Sequence, residues 1–223
     1  MLDDFGASWT NVDRCLSLPN AVAIAVIPHL PASRRVAQAA ADRGFDIVLH
    51  QPMEPHEFPK ENPGKYGIYV NQSAGEIAAL IAENISTLGV PIVGVNNHMG
   101  SRATEDERVM RLFFDVFPKD LFFLDSRTSA GSVAYDEARR HGIAALKNNV
   151  FLDHVMDRAE IERSFDQLIR IARVRGFAVA IGHVQSTPTI ETLELRLPNL
   201  ADHGAQLVRV REGAEIAPRA GPP

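Results

Sequence analysis

Cysteine is nearly absent from this sequence, with Cys15 alone among 223 residues. One thiol excludes an internal disulfide framework and a cysteine-rich zinc site. No apolar run approaches the roughly 20 residues that a membrane-spanning helix needs, and the N-terminus lacks the pattern of a signal peptide. Basic residues are too few for a nucleic-acid partner, because 23 Lys and Arg face 28 Asp and Glu and leave a formal net charge of -5.

The composition that is present fits one globular α/β domain. The chain is 45% hydrophobic and 23% charged, a balance that allows a full core to be buried. Residues 21–28 form a continuous apolar run, which is typical of a strand buried on both faces of a sheet. The alanine-rich residues 32–43 predict a helix that ends at Gly44.

The same alternation of strand and helix continues along the chain. Further strands are predicted at residues 45–49, 92–95, 121–124, 143–146, 177–181 and 206–210. Further helices are predicted at residues 133–141, 160–175 and 189–197, and after two capping boxes, Ser73 with Glu76 and Thr104 with Glu107. The pattern predicts a mostly parallel sheet with helices outside it, open or curled into an incomplete (β/α) barrel. We expect a single domain over residues 1–212 and a disordered tail over 213–223.

Acidic and imidazole side chains stand where the predicted strands end. Parallel strands direct their carboxyl ends to one rim of an α/β protein, and functional sites form at that rim. We therefore expect one metal-centred hydrolytic site, built from Asp3, Asp4, His50, His98, Asp125 and His183. The chain opens almost directly on the acidic pair, so we expect the first strand to be truncated and the natural N-terminus to lie upstream.

Six motifs, in order along nearly the whole chain, carry a resemblance to a known family. They are D-D-F-G, L-H-Q-P-M-E-P, G-V-N-N-H-M-G-S-R-A-T, F-F-L-D-S-R-T-S-A-G-S-V-A, V-F-L-D-H and A-I-G-H. The chain resembles the divergent polysaccharide deacetylases of the YibQ type, distant relatives of the metal-dependent carbohydrate esterases that remove N-acetyl groups. Among the motifs, N-N-H-M-G-S is very specific.

The resemblance implies a site for a divalent cation, expected to be zinc. In related deacetylases the first acid of the pair is the base and the second a ligand, which makes Asp3 the expected base and Asp4 a ligand. His50 and His98 complete a three-ligand set that leaves positions for water and a substrate carbonyl. His183 is the expected general acid that protonates the leaving amine, a task that suits a pKa near neutrality.

Four polar residues are expected to bind substrate: Glu54, Asn97, Asp125 and Ser126. Glu54 stands where related deacetylases have a second metal-binding histidine, so it is either a ligand or available to substrate. Asn97 is expected to donate to the oxyanion or to orient a neighbour. Asp125 and Ser126 either bind sugar hydroxyls or belong to a helix cap, and Asp153 is expected to support the rim structurally.

The site and the resemblance together predict a metal-dependent hydrolase that removes acetyl groups from a glycan. Metal-activated water is the expected nucleophile, since the sequence has no G-x-S-x-G elbow. Two alternatives stay open: a non-catalytic envelope protein that binds glycan or a protein partner, and a metallohydrolase acting on another amide or ester. The resemblance implies an acetylated glycan or oligosaccharide as partner and a location in the periplasm or cell envelope.

Overall fold

The computed structural model describes residues 1–216 of the chain. Its strands are β1 Leu2–Phe5, β2 Ile24–Val26, β3 Ile47–Met53, β4 Gly94–Met99, β5 Phe122–Asp125, β6 Ala145–Lys147, β7 Val150–Phe151 and β8 Ala180–His183. They form one sheet in the order β6-β5-β4-β3-β2-β1-β8-β7, and every neighbouring pair is parallel. The four residues of β1 therefore lie inside the sheet, between β2 and β8. The predicted α/β architecture, an incomplete barrel of parallel strands, is confirmed.

Helices connect the parallel strands, as the crossover geometry of such strands requires. The α-helices are α1 Val12–Cys15, α2 Ser33–Asp42, α3 Ala74–Leu88, α4 Glu107–Asp115, α5 Ala134–Arg140, α6 Arg158–Arg175, α7 Thr187–Arg196 and α8 Val210–Ile216. Two 3₁₀ segments accompany them, Ala103–Glu105 and Leu197–His203. Within residues 1–216, no helix combines the length and the apolar character that crossing a bilayer requires.

The strands are apolar on both faces of the sheet, and each face has its own hydrophobic cluster. The outer cluster packs against the helices and includes Phe113, Phe114 and Phe123, with the rings of Phe114 and Phe123 centred 5.0 Å apart. The inner cluster is smaller and is built from Ala23, Ala25, Val48, Phe122, Leu124, Leu146, Val179, Ile181 and Ala214. Burial on both faces explains why the strands read as continuous apolar runs in the sequence.

The strand predicted at residues 206–210 is wrong. Residues 206–209 have no regular structure, and α8 begins at Val210. Leu207 packs against the outer cluster and Val210 against the inner one, so the apolar spacing reflects the packing of an irregular segment. Arg209 Nη1 holds this segment to the start of β3 by donating to the Gly44 carbonyl at 2.9 Å. Of the tail predicted at 213–223, residues 213–216 belong to α8, and 217–223 lie outside the described residues.

One of the two predicted capping boxes is confirmed. The side chain of Ser73 accepts from the backbone N–H of Glu76, and the Glu76 carboxylate accepts from the backbone N–H of Ser73 at 2.8 Å. The box predicted at Thr104 is wrong, because the Thr104 hydroxyl donates back to the Gly100 carbonyl at 2.8 Å. Asp106 caps α4 instead, with Oδ1 accepting from the backbone N–H of Val109 at 2.9 Å.

The confirmed capping box gives a stability prediction. Replacing Ser73 by Ala leaves the backbone N–H of Glu76 without its side-chain partner, and we expect the free energy of unfolding to fall by about 1 kcal/mol. Ser73→Asn is the matched control, because asparagine is an equally good N-cap and should preserve most of the stability. Urea unfolding measures both variants, and equal losses in the two would contradict the capping role.

Candidate metal centre

Three side chains converge where β1, β3 and β4 reach the rim of the sheet. Asp4 Oδ1 lies 3.1 Å from His50 Nε2 and 2.9 Å from His98 Nδ1, and the two ring nitrogens are 3.2 Å apart. Within residues 1–216 they are the one group of three His, Cys, Asp or Glu side chains close enough to share an ion. The predicted metal ligands are therefore neighbours in space.

The spacing of these atoms fits a small divalent cation. Tetrahedral bonds of roughly 2.0–2.1 Å from zinc to nitrogen or oxygen place neighbouring ligand atoms about 3.3 Å apart. The three observed separations, 2.9, 3.1 and 3.2 Å, lie just below that value. Together the three side chains offer one carboxylate oxygen and two imidazole nitrogens, which is a common zinc-binding set.

Alternation along the strands decides which side chains reach this centre. Side chains at every second position of a strand point to the same face. The inner cluster contains Val48, Leu124 and Ile181. Two positions further on, the same face carries the polar rim residues His50, Ser126 and His183. The site therefore continues the inner cluster by one layer, at the carboxyl ends of the strands.

Asp4 departs from this alternation because its backbone is left-handed, with φ 67°. The pairing of β1 with β2 shifts register between Leu2 and Phe5, so the strand is irregular where the acidic pair lies. Aspartate is one of the few residues that tolerates this conformation. Gly6 completes the turn with φ 127°, and a Cβ there would lie 2.6 Å from Ser33 Oγ. The D-D-F-G motif thus encodes a turn that presents both acids.

Asp3 lies beside the three candidate ligands and is 1% exposed. Its Oδ2 accepts from Asn96 Nδ2 at 2.8 Å and lies 3.5 Å from His50 Nε2. Its Oδ1 is buried and has no hydrogen-bond partner among the described residues. A buried carboxylate oxygen is costly to leave unpaired. The structure therefore has, next to the candidate ligands, an acceptor suited to a water or another bound group.

Asp4 and His50 each favour the charged form of the other. Burial acts against the charged form of each group, yet hydrogen bonds from His50 and His98 hold the pKa of Asp4 below its usual range. Burial likewise opposes the charge of His50, while Asp3 and Asp4 together raise its pKa. A proton on His50 Nε2 and a cation would compete for the same lone pair. Cation binding should therefore weaken as the pH falls.

His183 lies next to Asp3 across the β1–β8 pairing, where the two residues are in register. Its Nδ1 is 2.7 Å from Asp153 Oδ1, and its backbone N–H donates to Asp153 Oδ2 at 2.8 Å. Burial lowers the pKa of His183, but the hydrogen bond and charge of Asp153 outweigh it and raise the pKa to about 9. Phe151 stacks near the ring, with the two planes 13° apart.

Asn97 and Ser126, both predicted to bind substrate, are engaged with each other. Asn97 Oδ1 accepts from the backbone N–H of Ser126 at 2.9 Å, and Ser126 Oγ donates to the Asn97 carbonyl at 2.8 Å. The Asn97 amide nitrogen donates to the Met99 carbonyl at 2.7 Å and faces Thr128 Oγ1 at 3.3 Å. These bonds join the ends of β4 and β5. A direct contact of either residue with substrate stays a prediction.

Asp125 and Glu54 hold loops together at the same rim. Asp125 accepts from Ser132 Oγ at 2.7 Å and from the backbone N–H of Arg127 at 2.8 Å, which ties the segment before α5 to the end of β5. Glu54 accepts from Arg102 Nη1 and from the backbone N–H of Val70, both at 2.7 Å. Neither carboxylate belongs to the converging group of Asp4, His50 and His98. Their predicted roles in substrate binding stay predictions.

Asn96 was not among the residues predicted from the sequence, and Asp153 was predicted to have only a structural role. The signal for Asn96 was present, because it lies two positions before His98 on β4 and so faces the same side of the sheet. Asp153 follows β7, a strand of only two residues. Its carboxylate contacts His183 and also accepts from Thr189 Oγ1 at 2.9 Å, so it supports a candidate catalytic residue directly.

Comparison with known proteins identifies the family of this chain. The family model described as divergent polysaccharide deacetylase matches residues 1–213. The chain belongs to this family. It is 36% identical over 205 residues to an uncharacterized protein of Haemophilus influenzae, covering 91% of this chain and 71% of that protein. It is 32% identical over 201 residues to the uncharacterized protein YibQ of Escherichia coli, covering 90% of this chain and 62% of YibQ.

A solved relative has the same architecture. The crystal structure of an uncharacterized protein from Agrobacterium tumefaciens C58 superposes with a TM-score of 0.87 at 25% identity. The similarity covers 95% of this chain and 86% of that protein. Because these relatives are described as uncharacterized, the chemistry of this divergent polysaccharide deacetylase has to be argued from its own side chains.

The contact between His183 and Asp153 predicts a pH dependence of stability in the chelator-treated protein. A histidine with a raised pKa stabilises the folded state fully below about pH 6.5, and that contribution is lost as the pH rises through about 9. The contribution is at most about 3 kcal/mol. We expect His183→Gln to lower the free energy of unfolding near pH 6 and to have a much smaller effect near pH 10. Urea unfolding across this range measures it, and a pH-independent difference would contradict the assignment.

Proposed function

We propose that this protein is a metal-dependent hydrolase that removes acetyl groups from a glycan. The convergence of Asp4 Oδ1, His50 Nε2 and His98 Nδ1 within 3.2 Å of one another carries the proposal. The unpaired Oδ1 of Asp3 beside them and the His183–Asp153 pair on the neighbouring strand supply the other groups that such a reaction needs. Membership of the divergent polysaccharide deacetylase family supports this chemistry.

Asp4, His50 and His98 would hold the cation. Two imidazole nitrogens with one carboxylate oxygen favour zinc among the common divalent ions. A divalent cation bound by three protein ligands keeps positions for other ligands, lowers the pKa of a bound water to about 7 and polarises a carbonyl group. The chain's own residues then have two tasks, which are to remove a proton from the attacking water and to supply one to the leaving group.

Asp3 is the residue suited to accept the proton of the water. Its Oδ2 is occupied by the amide of Asn96, so Oδ1 is the atom that takes the proton. Burial raises the pKa of Asp3, which makes the carboxylate a stronger base than an exposed one. As the water oxygen bonds to the acetyl carbon, its proton passes to Asp3, and the carbonyl oxygen gains the negative charge.

His183 is the residue suited to protonate the leaving group. Asp153 binds Nδ1, which leaves Nε2 as the nitrogen that can deliver a proton. The raised pKa of about 9 keeps the imidazole protonated at neutral pH, the state that a general acid requires. The bond from the acetyl carbon to the sugar nitrogen breaks as that nitrogen takes the proton, so the products are acetate and a free amine.

The substrate class and the location of the reaction are also proposed from the family. An acetylated glycan or oligosaccharide is the proposed partner, and Glu54, Asn97, Asp125 and Ser126 are the proposed substrate-binding residues at the rim. The periplasm or cell envelope is the proposed location, as the family resemblance implies.

Zinc binding is the first test. We expect the purified protein, freed of metal with chelator and dialysed against zinc, to retain one zinc per chain by elemental mass spectrometry. His98→Ala removes one of three ligands and should lower the retained zinc at least tenfold. His56→Ala is the matched control, because His56 is an exposed histidine that pairs with Glu105 outside the cluster. Equal zinc in His98→Ala and the wild type would refute the ligand set.

Acetate release is the second test, with N-acetylglucosamine oligomers and an aryl acetate as substrates. Asp3→Asn removes the base but no ligand, so it should retain zinc and lose roughly 10²–10⁴-fold in rate. Full activity in Asp3→Asn would contradict the role of Asp3. Hydrolysis of the aryl acetate alone would favour a hydrolase for other esters, and zinc binding without release from either substrate would favour a glycan-binding role.

A further inference from the structure

We propose that Asn96 is a positioning residue whose single amide orders the candidate base and a candidate ligand at the same time. This inference rests on the proposed function and deepens it. Asn96 is 0% exposed on β4 and pairs in register with His50 on β3. Its Oδ1 lies 2.9 Å from His50 Nδ1, and its Nδ2 donates to Asp3 Oδ2 at 2.8 Å.

The orientation of the Asn96 amide follows from Asp3. An ionised carboxylate only accepts hydrogen bonds, so the group facing Asp3 Oδ2 must be the amide NH₂. The amide oxygen then faces His50, and an oxygen can be satisfied there only if Nδ1 carries a hydrogen. In the neutral imidazole a proton on Nδ1 leaves the lone pair on Nε2. That lone pair points to Asp4 Oδ1 and His98 Nδ1, where the cation is proposed to bind.

Ser126 favours the same orientation of the Asn96 amide through a second hydrogen bond. The hydroxyl hydrogen of Ser126 is used on the Asn97 carbonyl at 2.8 Å. The Ser126 oxygen therefore accepts the second N–H of Asn96, at 3.1 Å. Turning the amide over would set its oxygen against Asp3 and against an oxygen that is already an acceptor. Asp3 and Ser126 therefore allow the amide of Asn96 one orientation only. In that orientation its oxygen requires a hydrogen on His50 Nδ1.

The same amide also selects which oxygen of Asp3 can react. It occupies Oδ2 and leaves Oδ1 without a partner in the described residues. A carboxylate bound at one oxygen cannot rotate to present the other without losing that bond. Asn96 thus fixes the direction in which the base points and the protonation pattern of a ligand. A metal-bound histidine is commonly oriented in this way by a partner on its other nitrogen.

Two substitutions at Asn96 separate these roles. Asn96→Leu has a similar volume and removes both bonds, so we expect zinc affinity to fall 10–100-fold, the usual effect of losing such a partner. Asn96→Asp keeps an acceptor for His50 Nδ1 but sets a second buried carboxyl group against Asp3 Oδ2, so the two acids share one proton. Because a partner for His50 is kept, zinc affinity should stay within about threefold of the wild type. The rate of acetate release should fall at least tenfold, since the shared proton makes Asp3 a poorer acceptor for the proton of the water.

Asn84→Leu is the matched control. Asn84 is also 0% exposed, its Oδ1 lies 3.0 Å from His29 Nε2, and it lies outside the metal cluster. Removing this amide should leave zinc affinity unchanged, so the comparison separates a positioning effect from the general loss of a buried amide. Zinc dissociation constants are measured by competition with a chromophoric chelator.

A spectroscopic measurement tests the inference without activity. ¹⁵N-resolved NMR of histidine-labelled protein should show a hydrogen-bonded Nδ1–H on His50 in the wild type and in Asn96→Asp, and not in Asn96→Leu. Wild-type zinc affinity in Asn96→Leu, or a His50 ring without a proton on Nδ1, would overturn the proposal. Failure of the wild type to bind zinc would instead refute the proposed function. In zinc-free protein the hydrogen bond of His50 Nδ1–H, kept in the wild type and lost in Asn96→Leu, would still decide the role of Asn96.

Discussion

Alternation of side chains along parallel strands is the constraint on which the candidate site depends. Every second residue faces the inside of the curled sheet, where the apolar side chains of Val48, Leu124 and Ile181 form a floor. Two residues further along each of these strands, the same face carries polar residues at the rim. β2 and the residue before it contribute only the small Ala25 and Ala23 to this face, which leaves room for groups from β1 and β3 to meet. Hydrophobic packing and the polar site are therefore successive layers of one structure.

One departure from this alternation, at Asp4, brings a second carboxylate to the site. Asp3 follows the regular pattern of β1, whereas Asp4 reaches the same side of the sheet through a left-handed backbone that costs on the order of 1–3 kcal/mol. The contacts of Asp4 with His50 and His98 offset this strain. Adjacent acids in an ordinary strand would point to opposite faces. The irregular turn is what allows two neighbouring carboxylates to act on one point.

Much of this arrangement could be predicted from the sequence, because strand ends in a parallel sheet meet at one rim. On this basis Asp4, His50 and His98 were correctly expected to lie close together. The sequence pattern did not distinguish, however, which residues near a strand end face the site. Strict alternation separates them, since Asn96 shares a face with His98 while Asn97 does not. Contacts between residues far apart in the chain could not be predicted from local sequence patterns. Residues 206–210 have the hydrophobicity of a strand, but they form none, and their apolar side chains Leu207 and Val210 pack against the two hydrophobic clusters.

The three candidate ligands lie far apart along the chain, with 46 residues from Asp4 to His50 and 48 from His50 to His98. An unfolded chain holds no such trio, so a bound ion would act as a cross-link that exists only in the assembled sheet. By mass action, free zinc at a hundred times its dissociation constant would add about 2.7 kcal/mol to the folding equilibrium. Depletion of the ion would loosen β1, β3 and β4 together, and availability of metal in the surroundings would set how long the protein survives heat and proteases.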